Sequence, residues 1–203
     1  MSLVDIWQPP PSSSPISSQW RSVATPAQTA LLGRIPPSLS HKRVDDPWAA
    51  ERYPLMQFVQ DAWHIVRPGQ NYIHGWHLEA ICLHLEAVAR RDIKRLLLNV
   101  PMRSSKSTLL AVFFQAWVWI TRPETSFLVT SYKESLALRD SVACRTLLRS
   151  SWYKERWGGR FCLSGDMNIK SRFENDKGGY RVTAAVGGAT GEGADILICL
   201  PAN

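Results

Sequence analysis

The stretch that decides the fold is residues 96–108, LLLNVPMRSSKST. An apolar run, a short polar loop and a final Lys-Ser-Thr predict a strand, a loop and a helix that begins near Lys106. A lysine and a hydroxyl at such a junction are typical of a phosphate-binding loop. In that loop, backbone N–H groups surround the phosphates, the lysine reaches the outer phosphates and the hydroxyl binds Mg²⁺. Val100 and Ser105 stand where the full pattern has glycine, so a surface lysine at an ordinary helix start is the alternative.

Working outward from this stretch, the sequence predicts helices and strands in alternation. The helices are predicted over 76–91, 106–120 and 133–149, with shorter helical pieces over 46–66; the strands over 95–100, 126–131 and 195–199; and a hairpin with its turn at 175–179. Apolar residues recur at three- and four-residue steps in the helices, and the strands are short apolar runs. Alternating strands and helices imply parallel pairing, so we expect an α/β fold with a parallel sheet flanked by helices.

The first 45 residues differ in composition from the rest of the chain. They are rich in proline and serine, with PPPSSSP at residues 9–15 as the extreme. Such a segment buries too little apolar surface to fold, so we predict a disordered arm over residues 1–45. Asp46 and Pro47 suit a helix start, and we place the folded domain at 46–203.

Charge and composition narrow the classes of partner. The chain of 203 residues has a net charge of +7 and an isoelectric point near 9.5, which favours a polyanion such as nucleic acid. The densest basic cluster is Arg90, Arg91, Lys94 and Arg95, for which a solvated helix end is the favoured interpretation and a nucleic-acid contact the alternative. The four cysteines form no C-x-x-C pair, which argues against zinc and redox motifs. Neither a membrane span nor a secretory signal is predicted, so we expect an intracellular protein.

Several short motifs, in order, resemble the ATPase half of the large terminase subunit of tailed bacteriophages, the motor that packages viral DNA. The resemblance runs from about residue 75 to 195. It rests on WHLEAI (76–81), LNVP (98–101), Arg103, Lys106 and Ser107, TSY (130–132), LRDS (138–141), RFEN (172–175) and GGATGEGAD (187–195). It implies a P-loop NTPase-like sheet that is incomplete at its C-terminal side.

The resemblance also implies ligands and site residues. ATP and Mg²⁺ are the expected cofactors, and the loop residues that would hold them are Arg103, Ser104, Ser105, Lys106, Ser107 and Thr108. Lys106 is similar to the phosphate-loop lysine, Ser107 to the magnesium ligand and Arg103 to an arginine near the outer phosphates. Trp76 and His77 are candidate adenine contacts, with helix core and helix cap as the alternatives. The segment 187–193 resembles a glycine-rich loop, or is a plain flexible turn.

The chain departs from the terminase pattern at the last predicted strand. Two acids that position Mg²⁺ and the attacking water are expected there, but Cys199, Leu200 and Pro201 occupy these positions. Asp195 lies at the other end of the strand, and Glu192 in the glycine-rich loop is the remaining candidate. The catalytic residues are therefore unknown, and a frameshift or a decayed prophage gene would explain the ending.

Three functions follow from this comparison. The first is a truncated terminase ATPase domain without the nuclease domain. It would act on double-stranded DNA with the portal and the small terminase subunit, in the cytoplasm of a bacterial host. The second is a non-catalytic fragment that binds DNA or a partner, and the third is a prophage gene remnant without activity.

Overall fold

Two amphipathic helices precede the stretch that contains Lys106. In this computed structural model, residues 53–101, 103–185 and 191–200 are described, and all belong to one compact unit, His41–Asn203. Helix α1 spans Leu55–Val66 and α2 spans Trp76–Ala89. The apolar row predicted for α2 faces the core, since Leu78, Ile81 and Leu85 are buried. The predicted arm over 1–45 and the helix start at Asp46 lie outside the described residues.

A long buried helical run begins at Lys106, as predicted. Helix α3 (Lys106–Thr108) continues without a break into a π-helical segment, Leu109–Phe114, and then into α4 (Gln115–Thr121). Every residue from 111 to 120 is buried, so this part of the run is enclosed on all sides. The sequence did not predict the wider π turns, which are uncommon and occur often at functional sites.

Helix α5 (Glu134–Arg149), which the sequence also predicted, packs against the π segment, and the shorter α6 (Ser151–Trp157) follows it. Tyr153 of α6 is fully buried and donates a hydrogen bond from its hydroxyl to the carbonyl oxygen of Ala116 (2.8 Å). No helix within the described ranges is long and apolar enough to cross a membrane.

A five-stranded sheet lies against these helices, in the order β2-β3-β4-β1-β5. Its strands are β1 (Phe127–Ser131), β2 (Leu163–Asn168), β3 (Arg172–Asn175), β4 (Tyr180–Ala185) and β5 (Ile196–Leu200). Strand β1 is buried at all five positions and lies parallel to β4 on one side and to β5 on the other. The α/β class, the predicted strands over 126–131 and 195–199, and the hairpin are thus confirmed.

The expectation of an all-parallel sheet is wrong for half of it. Strands β2, β3 and β4 pair antiparallel, because the turn after Asn175 returns the chain directly beside itself. Asn175 holds this turn by accepting the N–H groups of Lys177 (2.9 Å) and Gly179 (3.0 Å) on its side-chain oxygen. Strand β2 was missed because its sequence, LSGDMN, has no sustained apolar alternation.

The prediction of a buried strand over 95–100 is also wrong. Along this extended segment, half-buried Leu96, Leu98 and Val100 pack on the core, while Leu97 is 94% exposed. The segment belongs to no sheet, and a cavity of about 910 Å³ separates it from β5, the edge strand. One row of side chains therefore reaches the core from the segment without any strand pairing.

Candidate nucleotide-binding site

The loop before Lys106 has an unusual backbone. Arg103 (φ 62°) and Ser105 (φ 60°) both adopt the left-handed conformation, and Met102 lies outside the described residues. A residue with a Cβ is disfavoured there by roughly 1–2 kcal/mol, whereas glycine is not. Ser105 thus keeps a glycine-like conformation at one of the glycine positions of the phosphate-loop pattern. It is the N-cap residue of the helical run, so Lys106 is the first residue of the helix.

Lys106 faces the cavity between the extended segment and β5. Its side chain is half-buried, and it shares the cavity lining with Cys199 and Leu200. No carboxylate of the described residues forms a salt bridge with it. An ammonium group without a local counter-ion, at the edge of a cavity, suits an anionic ligand.

The neighbours of Lys106 play different parts. The hydroxyl of buried Thr108 accepts a hydrogen bond from the Arg67 guanidinium (2.6 Å), which ties the first turn of the helical run to the end of α1. Half-buried Ser107 has no hydrogen-bond partner for its hydroxyl within the described part of the chain. The Ser104 hydroxyl oxygen is buried and likewise unpartnered there. Arg103 is exposed. Thr108 is therefore an anchor because of its bond to Arg67, whereas Arg103, Ser104 and Ser107 remain candidate ligand contacts.

Trp76 and His77 lie at the start of α2, outside the lining of this cavity. Trp76 is 51% exposed, which rules out the helix-core alternative for it. Gly75 is the N-cap residue and no side chain caps the helix, which rules out the cap alternative for His77. The two rings meet edge to face, with centroids 6.2 Å apart. The structure does not bring this pair to the cavity that Lys106 faces.

The cavity is apolar along its length and cationic at several points. Among the described residues, its cations are Lys106, Arg91, Lys94, Arg95 and Arg122, and its one carboxylate is that of Asp195. Burial, first, and then the nearby Arg91 lower the pKa of Arg122. A cavity of this size and charge is suited to an amphipathic anion of the size of a nucleotide.

The basic cluster follows α2: Arg90 is the C-cap residue of the helix, and the other three cations lie beyond its end. Arg91, Lys94 and Arg95 are exposed and line the cavity, while Arg90 pairs with Asp92 (3.1 Å). The two interpretations, a solvated helix end and a nucleic-acid contact, are therefore both compatible with the structure, because these exposed side chains are accessible to water and to a polyanion alike.

Asp195 has a structural task at the start of β5. Its carboxylate accepts the backbone N–H (2.9 Å) and the hydroxyl (2.7 Å) of Ser126, and its own N–H returns a bond to the same hydroxyl oxygen (2.9 Å). These donors, the backbone N–H first, hold the pKa of Asp195 below its usual range. Leu200 pairs with Ser131 at the other end of the strand, about 16 Å away at about 3.3 Å per residue.

Glu192 is held by a different part of the sheet. Its carboxylate lies 3.5 Å from the Arg172 guanidinium, and the carbonyl of the adjacent Gly193 accepts the Tyr180 hydroxyl (2.6 Å). Gly191 has a φ of 93°, so the turn at this point needs glycine. Glu192 does not line the cavity, and residues 186–190 of the glycine-rich segment lie outside the described residues. At the end of β5, Cys199 is exposed and Leu200 buried, while Pro201 is outside the described residues.

One residue that sequence reasoning missed is Arg181 on β4. It is completely buried and donates hydrogen bonds to the helical run just after Lys106. Its only sequence signal is a charged residue within YRVTAA, where a strand residue in a buried position is normally apolar.

Comparison of the chain with protein-family models, with curated proteins and with solved structures finds no match. The geometry of the site and the resemblance of the motifs are therefore the basis for a functional proposal.

Proposed function

We propose that this chain carries a terminase-type ATP-binding domain, whose P-loop NTPase-like site is built around Lys106. The observation that supports this most is the place of Lys106: first residue of a long buried helix, after a loop with left-handed backbone, and facing a cation-rich cavity. Phosphate groups are bound in such places because the helix N-terminus and the lysine both favour negative charge.

Magnesium would enter this site with the nucleotide. Ser107 is the residue we assign to it, because its half-buried hydroxyl has no hydrogen-bond partner in the described ranges. These ranges contain no group of three metal-ligating side chains. A single hydroxyl fits Mg²⁺ nonetheless, since this ion is usually held by substrate phosphates, water and one or two protein ligands.

Calorimetry with Mg·ATP tests the proposal on the wild-type chain, Lys106→Ala and Lys94→Ala. We expect Lys106→Ala to abolish measurable binding, because the outer phosphates lose their cation. Lys94→Ala is the matched control: it removes an exposed cation from the same cavity and should change affinity by less than about threefold. Equal affinity in the three proteins would contradict the phosphate-loop assignment.

In terminases this domain powers DNA translocation, and the proposal extends to those partners. Double-stranded DNA, the portal and the small terminase subunit are the expected partners, in the cytoplasm of a bacterial host. In such a motor the protein mainly positions the phosphates and stabilises the developing charge.

A DNA-binding module without catalysis is the second candidate, and the exposed cations Arg91, Lys94 and Arg95 support it. Their replacement by alanine should weaken DNA binding and lower its salt dependence, by about one unit of slope for each lost phosphate contact. If Lys106→Ala binds DNA as well as the wild type, and neither protein binds ATP, the second candidate replaces the first.

A further inference from the structure

The π-helical segment Leu109–Phe114 follows directly on the turn that contains Lys106 and Ser107. An α-helix turns by about 100° per residue, whereas a π turn is wider and turns by less per residue. The position of the π turn in the sequence therefore determines the direction in which the side chains before it point, relative to the helix after it. The segment reads LLAVFF and contains neither glycine nor proline. Its own sequence therefore does not fix where the wide turn lies.

Arg181 contacts this wide turn from the sheet. Its Nη1 donates to the carbonyl oxygen of Ala111 (2.5 Å) and to Oε1 of Gln115 (2.6 Å), and its Nε donates to the hydroxyl of Thr183 on its own strand (3.3 Å). The guanidinium carbon lies 6.0 Å from the ring centroid of Phe173. Arg181 thus joins β4 to the π segment and to the first residue of α4.

Keeping a guanidinium at this place is unfavourable in itself. Arg181 is 0% exposed, and burial lowers its pKa, although Cys144 and Asp140 act in the opposite direction. An apolar side chain of similar volume would avoid this penalty. An apolar residue at position 181 would lose the donor bonds to Ala111 and Gln115 on the helical run, the bond to Thr183 on β4 and the contact with Cys144. Of the three printed bonds, those to Ala111 and Gln115 are the ones that join β4 to the wide turn.

We infer that Arg181 is a positioning residue: it fixes the π turn at Ala111 and thereby sets the direction in which Lys106 and Ser107 meet a phosphate. At the C-terminal end of the helical run, residues 115–120 are buried and therefore held in place by packing. At its N-terminal end, the hydrogen bond from Arg67 holds Thr108. Between these two points, the bond to Ala111 stabilises the wide turn where it lies. This inference rests on the proposed function, because it concerns the same site.

Three variants separate positioning from simple core stability. Arg181→Met keeps most of the volume and removes every donor. Arg181→Lys restores one donor within reach of Ala111. Thr183→Val, the matched control, removes the contact within β4 and leaves both helix contacts in place. All are compared as full chains at a temperature well below the onset of unfolding, measured by circular dichroism.

With Mg·ATP, we expect Arg181→Met to bind about tenfold more weakly or worse, which corresponds to about 1.4 kcal/mol. Arg181→Lys should recover most of the affinity, and Thr183→Val should stay within about twofold of the wild type. Without nucleotide, the backbone amide resonances of residues 106–110 should shift in Arg181→Met and not in Thr183→Val. If Arg181→Met does not fold, Arg181→Gln takes its place with the same expectation.

Wild-type affinity together with unchanged amide resonances in folded Arg181→Met would overturn the inference. Failure of the wild-type chain to bind Mg·ATP would instead contradict the proposed function. In that case the amide resonances alone decide whether Arg181 fixes the π turn.

Discussion

At the scale of single residues, Ser105 combines a glycine-like backbone with a side chain. Because its φ is 60°, Ser105→Gly should relieve about 1 kcal/mol of backbone strain, partly offset by the greater freedom of glycine in the unfolded chain. Removal of the Cβ also lets the backbone approach a phosphate, so Mg·ATP affinity should rise. Denaturant unfolding measures the change in stability, and calorimetry measures the change in Mg·ATP affinity.

Ser105→Ala is the control for the glycine variant, since it removes the hydroxyl and keeps the strained backbone. If the alanine variant binds as tightly as the glycine variant, backbone strain does not limit binding.

Asp195 makes the free energy of unfolding depend on pH in the acidic range. Its folded pKa is lowered mainly by the Ser126 N–H and hydroxyl, so its contribution is present above the unfolded pKa of about 3.9 and is lost as pH falls through the folded pKa. Asp195→Asn should therefore cost about 1 kcal/mol at pH 7, a modest value because the side chain is 45% exposed, and progressively less as the pH falls through the folded pKa. Urea unfolding across pH checks this. The exposed Glu155→Gln is the control, and an equal loss there would show that the effect is not local to Asp195.

At the scale of elements, the reactivity of the Cys199 thiol reports whether a ligand occupies the cavity beside strand β5. Cys199 and Cys162 are exposed, whereas Cys82 and Cys144 are buried; burial raises the pKa of the Cys82 thiol to about 12 and also raises the pKa of Cys144. A thiol reagent should modify two cysteines in the native chain and all four after unfolding. Mg·ATP should protect Cys199, which lines the cavity, and leave Cys162 reactive as an internal control. Protection of both thiols would indicate that the nucleotide reduces the flexibility of the whole domain, and would not show that it occupies the cavity.

The elements that the sequence predicted correctly are those with local signals. The periodic apolar row of α2, the all-apolar β1 and the Asn-Asp-Lys-Gly-Gly turn each determine their structure through neighbours in the chain. Leu96, Leu97 and Leu98 have the composition of a buried strand, but pairing depends on distant partners and does not occur. The π turn was unpredictable for a similar reason, since the donor that contacts it, Arg181, is 70 residues away from Ala111. Lys106 was a candidate from the motif alone, whereas the cavity beside it is visible only in the fold.

At the scale of the whole molecule, we predict that the 203-residue polypeptide binds Mg·ATP without hydrolysing it at a motor-like rate. Hydrolysis needs a group that orients the attacking water and accepts its proton, which contributes about 10²–10⁴-fold. At the end of β5, a thiol at Cys199 and the side chain of Leu200 cannot do this while Mg²⁺ is held. Asp195 is engaged by Ser126 at the far end of the strand, and Glu192 pairs with Arg172.

A steady-state phosphate-release assay on the purified chain decides this prediction, and we expect turnover well below about 1 s⁻¹. Lys106→Ala provides the baseline, because any phosphate that it releases comes from contaminating enzymes. Turnover of about 1 s⁻¹ or faster that disappears in Lys106→Ala would contradict the prediction and show that a base reaches the nucleotide. Glu192→Gln then tests whether the Glu192 carboxylate is that base. Its carboxylate would have to leave Arg172, so Arg172→Ala should raise the rate if Glu192 is that base.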